Sequence, residues 1–199
     1  RSLALDESWS NRYRTSPGQS YGWVHVIAGG YAWFRDNGDA DFRRSLRGGG
    51  KSPDPLRLHR VSLTDASDTV SFAPFGLPHG TIVNPPLVDA SRRIAVAYDS
   101  GNGRIGAFRY DAARFERLWV REMGASNHFL LYPDTGEIVV NDFDGETEHV
   151  SVLDIETGAE LARARAESPI ASVVFQSPGW ERDVYSCAFP GITRVAWTG

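Results

Sequence analysis

Carboxylates, amides and imidazoles in short runs are the raw material of a binding or catalytic site, and this 199-residue sequence carries several. They are Pro78-His79-Gly80, Ser126-Asn127-His128, Asn141-Asp142 and Glu148-His149, with Asn84 and Asp99 standing alone. Oxygen donors of this kind suit a hard cation, and imidazole nitrogen suits a transition metal or a proton transfer. A basic run, Arg43-Arg44-Ser45-Leu46-Arg47 with Lys51 nearby, offers guanidinium groups that pair carboxylates or phosphates in bidentate fashion. Each has a plainer reading beside it. A histidine next to a turn is more often a hydrogen-bonded loop residue, and the basic run is balanced by Asp36, Asp39 and Asp41 as a solvated loop would be. Asp99 and Asp142 suit strand-end caps that accept backbone N–H groups. No G-x-S-x-G elbow, phosphate loop, HExxH or Cys/His zinc spacing is present.

The elements that must position these residues are set by composition and period. Apolar residues make up 41% and charged residues 23%, which excludes wholesale disorder, collagen and coiled coil. A single cysteine, Cys187, excludes an internal disulfide framework. The net charge of −4 lacks the basic excess of a nucleic-acid binder, so no nucleic-acid partner is expected. The longest apolar stretches, such as Val173-Val174-Phe175, fall far short of the ~20 residues of a membrane helix, so no membrane partner is expected. No signal-peptide pattern follows Arg1. The compartment stays open, with secretion or periplasmic export after signal removal among the readings.

The sequence echoes itself at an offset of 43 residues. Residues 84 to 118 match 127 to 161 without a gap, bringing Asn84 onto Asn127, Val96 onto Val139, Asp99 onto Asp142 and Asp111 onto Asp154. A further copy begins near Ile170 and stops before its fourth segment. Another precedes them, with Tyr31 to Asp36 in the register of Ile94 to Asp99 once an insertion at 37 to 55 is allowed. Within a copy, short β-branched and aromatic runs alternate with turn signals such as Asp134-Thr135-Gly136 and Thr157-Gly158. Four short strands per unit, repeated, predict an all-β β-propeller of about four blades, each of four antiparallel strands. The expected blades are 20–75, 80–121, 125–166 and 168–199, within a single domain over 1–199. That number suits a fragment of a six- to eight-bladed ring, with a four-bladed ring closed by the segment Ser2 to Asp6 as the alternative.

The run Asp99 to Asp111, followed by Leu118-Trp119, resembles the quinoprotein-like propeller repeat. That resemblance implies that Trp119 packs between blades. Ser126-Asn127-His128, Tyr132 to Gly136 and Val139 to Asp142 resemble the repeat of gluconolactonase-like propellers, several of which hold a divalent metal over the channel. The propeller geometry so implied gathers the loops between second and third strands, and those entering each first strand, on one face. On that face Asn127 and Asp142 would be metal ligands for Ca or Zn, and His128 and His79 catalytic bases. Asn127, Asn84, Asp99, Asn141, Arg43 and Arg44 would be ligand-binding residues. Two functions fit: a module that binds a small molecule or a protein at this face, or a metal-assisted hydrolase of lactonase type.

Overall fold

A computed structural model describes residues 4, 21–36, 54–80, 85–124, 129–166, 173–176, 183–188 and 191–196. The expected insertion at 37–55 lies outside them except for residues 54 and 55, and so does Ser2 to Asp6 except for Ala4.

The described residues form strands and turns, without a helix. The first sheet contains β1 (Tyr21–Ala28), β2 (Tyr31–Asp36), β3 (Arg57–Ser62) and β4 (Thr69–Phe72). The second contains β5 (Leu87–Asp89), β6 (Ile94–Asp99), β7 (Arg104–Tyr110) and β8 (Phe115–Glu122). The third contains β9 (Leu130–Tyr132), β10 (Glu137–Phe143), β11 (Glu148–Asp154) and β12 (Glu160–Arg165). The fourth holds β13 (Val173–Gln176), β14 (Val184–Ala188) and β15 (Gly191–Val195) among the described residues. Every sheet is an antiparallel meander in chain order. Contacts between sheets run from β1 to β5, from β5 to β9, and from β13 to β9 and β10, so the first strands gather along a common line.

This arrangement explains the hydrophobic pattern. The second sheet is covered on both faces by its neighbours, so β6 reads Ile-Ala-Val-Ala-Tyr-Asp and is buried at every position. The outermost strand β12, Glu-Leu-Ala-Arg-Ala-Arg, is almost wholly exposed. Three apolar layers fill the gaps. Trp33, Leu58, Ala95 and Tyr110 lie between the first and second sheets, and Ile94, Val96, Ile105, Ile138, Val140 and Leu153 between the second and third. Val139, Val150 and Val184 lie between the third and fourth.

The turn from first to second strand shows how the repeat is enforced and where it is broken. Gly30, Arg93 and Gly136 each stand just before the second strand of their sheet. Their carbonyls accept an N–H from the end of the third strand: Leu63, Tyr110 and Ile155 respectively. The slot requires a left-handed backbone, with φ of 82°, 55° and 73°. Two sheets fill it with glycine, which meets no Cβ penalty there. The second fills it with arginine, at a cost of about 1 kcal/mol or more.

On the face of the first sheet turned away from the second, Phe34, Val61 and Ala66 form a small cluster, and His59 stacks on Phe34 with ring centroids 4.9 Å apart. His59 is 3% exposed. Burial, reinforced by the Arg57 cation, pushes its imidazole down to about 4 from the usual 6.5. The folded state therefore binds fewer protons than the unfolded chain between those values, and stability is lost as pH falls from 6.5 towards 4. That difference in proton affinity corresponds to roughly 3 kcal/mol. Urea unfolding at about pH 7 and about pH 4.5 is expected to show His59→Phe, which keeps a flat ring and takes up no proton, losing clearly less stability than the wild type. Parallel losses in the two proteins would refute this.

Candidate functional site

Among the described residues, the β6–β7 turn, the segment from Pro78 to Gly80 and Leu56 meet at one end of the sheets, and in the third sheet Gly124 meets the end of β10. Asp99 closes β6 and is fully buried. Its Oδ1 accepts the N–H groups of Gly101 (3.0 Å) and Asn102 (3.2 Å), and its Oδ2 accepts from Asn102 Nδ2 (2.8 Å). The same Asn102 amide donates to Pro78 O at 3.0 Å, which ties the loop carrying His79 to this turn. A Cβ on Gly80 would sit 2.7 Å from Leu56 Cβ and 3.0 Å from Asp99 Oδ2. Three connections thus close over the Asp99 carboxylate. His79 is exposed beside it in a left-handed conformation, φ 61°.

A buried cation reaches the same place from the first sheet. Arg35, fully buried on β2, donates through Nη1 to Tyr98 O. Burial lowers its guanidinium to about 9, and the neighbouring Asp99 charge acts in the opposite direction. Tyr98 packs edge-on against Phe129 at 5.1 Å. Burial, followed by the Asp99 and Asp142 charges, holds its phenol well above the ordinary range, so it stays protonated.

In the third sheet Asp142 does not repeat the role of Asp99, although the two share a register in the sequence. Asp99 pairs with Arg104 directly before the turn, whereas Asp142 pairs with His149 and is followed by a further pair, Phe143 with Glu148. The turn cap therefore passes to Asp144, whose Oδ1 accepts from Glu146 N (2.9 Å) and Thr147 N (2.8 Å). Asp142 instead accepts Gly124 N at 2.9 Å and Arg163 Nη1 at 2.8 Å. A cation approaching Asp142 would share the carboxylate with that guanidinium. Asn141, fully buried, donates through Nδ2 to Glu148 Oε1, also fully buried. His149 Nδ1 lies 3.6 Å from Asp144 Oδ2.

Of the residues singled out from the sequence, Asp99, Asn141, Asp142 and His79 stand at this end of the sheets. Asn84, Asn127, His128, Arg43 and Arg44 lie outside the described residues. Among the described residues no group of three or more His, Cys, Asp or Glu side chains is spaced to hold a metal ion. Arg35 and Tyr98 were not anticipated, yet a signal existed. Arg35, Tyr98 and Asn141 occupy one slot near the end of the second strand in three successive sheets, and all three are polar and buried. A polar residue recurring at an inner-strand position marks a hydrogen-bonding task there.

No family model matches the chain, and no curated protein matches it in sequence. Solved structures do. The β-propeller domain of Cps50 (Swd1) from Myceliophteria thermophila matches with a TM-score of 0.59 at 10% identity, over 91% of this chain and 55% of that one. The periplasmic gluconolactonase PpgL of Pseudomonas aeruginosa matches at 0.51 and 18% identity, over 81% of this chain and 45% of that one. The β-propeller domain of the trilobed protease from Pyrococcus furiosus matches at 0.51 and 8% identity, over 94% and 59%. The fold is a β-propeller, and the sheets are its blades. The chain spans about half the length of the propellers it matches.

Proposed function

We propose that this chain is a β-propeller binding module whose loop face receives a protein or a small ligand. The observation that supports this reading most is how the carboxylates of that face are used. Asp99 is engaged by its own turn and lies beside Arg35, and Asp142 is engaged by Gly124 and Arg163. Both hold loops in place, and a face of loops fixed from below is a docking platform that does not reorganise on binding. The Cps50 propeller domain is among the structures it resembles, and at that identity the likeness carries fold alone.

The second reading, a metal-assisted hydrolase, draws on one contact: Asp142, one of the two expected ligands, accepts Gly124 N, and Gly124 stands three residues before the other, Asn127, in the sequence. Elemental analysis of the purified protein separates the two. No stoichiometric divalent ion, and unchanged thermal stability in Asn127→Ala, are expected for the binding module. One equivalent of Ca or Zn, lost in that variant, would overturn it in favour of the hydrolase.

A further inference from the structure

At the end of the sheets opposite the loop face, a cavity of about 120 Å³ opens between the two turns of the second blade, lined by Arg93, Arg109, Tyr110, Asp111, Arg114 and Glu116. Against the ~300–1,000 Å³ of pockets that take drug-sized ligands, this is room for a small oxyanion. We propose that the cavity is a binding site for a phosphate group, held chiefly by Arg93 with Arg109 and Arg114.

The first argument is the placement of Arg93. It fills the turn slot that the neighbouring blades give to Gly30 and Gly136, with the same carbonyl hydrogen bond and the same left-handed backbone. An arginine kept where the local conformation favours glycine points to a task for its side chain. That side chain is exposed and makes no hydrogen bond or ion pair among the described residues.

The second argument is charge. Arg114 Nε lies 3.3 Å from Asp111 Oδ2, and Asp111 Oδ1 is already taken by Ala113 N (2.8 Å) and Arg114 N (2.9 Å). Arg109 Nη2 lies 3.3 Å from Glu156 Oε2 and stands across the β7–β8 ladder from Glu116. Within the lining three arginines face two carboxylates, Asp111 and Glu116, which leaves one positive charge in surplus, and Glu156 outside it is shared between Arg109 and Arg92 Nε at 3.6 Å. A fourth cation stands behind the wall. Arg60, 1% exposed, donates to Asp111 O and, at 2.7 Å, to Ala112 O, which fixes the turn that carries Arg114. The three arginines are not inherited from the repeat, because the positions 43 residues on from Arg93, Arg109 and Arg114 are Gly136, Val152 and Thr157. Guanidinium forks match tetrahedral oxyanions in geometry as well as in charge.

Titration calorimetry of the protein with inorganic phosphate at low ionic strength tests this, alongside acetate. Phosphate is expected to bind in the low-millimolar range, more tightly than acetate. Arg93→Gly is expected to weaken it about tenfold while leaving the thermal midpoint unchanged or raised, because glycine suits the slot. Glu116→Gln, which removes the carboxylate on the rim, is expected to tighten it. A phosphoserine peptide or a hexose phosphate that binds more tightly than free phosphate supports the site and names the carrier. No binding at about 20 mM phosphate, equal binding of acetate, or an Arg93→Gly variant indistinguishable from wild type would each overturn it.

Discussion

Trp119→Ala is expected to destabilise the protein by about 3–5 kcal/mol. The indole stands on β8, 9% exposed, within the apolar layer between the second and third blades. Its Nε1 donates to Ile155 O at 2.9 Å, so the one polar atom of the ring is satisfied across the interface. Its ring covers Gly158, where a Cβ would fall 2.6 Å from Trp119 Cδ2 and where φ is 71°. Arg121 closes the same turn by donating to Gly158 O at 2.7 Å. Alanine would leave a cavity at a seam between rigid sheets that cannot collapse to fill it, and would orphan the Ile155 carbonyl. Trp119→Phe, which keeps much of the ring and loses the N–H, is expected to cost about 1–2 kcal/mol. Gly158→Ala meets the clash and the strained backbone together and is expected to cost about 2–3 kcal/mol. Urea unfolding of the three variants checks the order, and a Trp119→Ala protein within about 1 kcal/mol of wild type would remove this residue from its place in the interface.

Trp119 was legible through the resemblance to the quinoprotein-like repeat, since the next copy has Ala162 in its place, whereas the sheets were legible from the sequence's own period. β5 and β9 lie at the 43-residue offset read from the sequence, and Asp111 and Asp154 cap equivalent turns through N–H groups at the same two following positions. The limits of that reading are as specific. Asp99 and Asp142 align in the sequence, yet the extra pair Phe143–Glu148 moves the cap to Asp144, and a ladder that slips is invisible to an alignment that needs no gap. The partners of Arg35 and Arg60, and the role of Arg93, stayed illegible for another reason. Arg35 and Arg60 bond across a blade boundary to Tyr98 and to Asp111, far along the chain, and no local pattern encodes such a partner. Arg93 differs from a surface arginine only by its φ, which becomes visible when the three turns are superposed.

The buried cation at the loop face gives the other large effect. Asp99→Ala is expected to cost about 3–5 kcal/mol, because it takes a negative neighbour from a cation that the fold has already removed from water and uncaps the β6–β7 turn. Arg35 is fully buried, and its guanidinium is lowered to about 9 by burial even with Asp99 beside it. Without that carboxylate the cation loses the favourable charge beside it, and the N–H groups of Gly101 and Asn102 lose their acceptor. Arg35→Met removes the charge and keeps an unbranched apolar stem, so in an Asp99→Ala background it is expected to recover much of the loss. A double-mutant cycle by urea unfolding measures this directly. A coupling near zero would mean that Asp99 acts only as a turn cap, whereas a coupling above about 2 kcal/mol would establish the pair as the joint between the first two blades. The consequence reaches function, because Asp99 lies under the loop of His79 and at the head of the β6–β7 turn. If the loop face binds its partner as a pre-ordered surface, Asp99→Ala should weaken that binding through a change in loop order without removing an exposed side chain, and Arg35→Met in the same background should restore little of it, since the turn would still lack its cap.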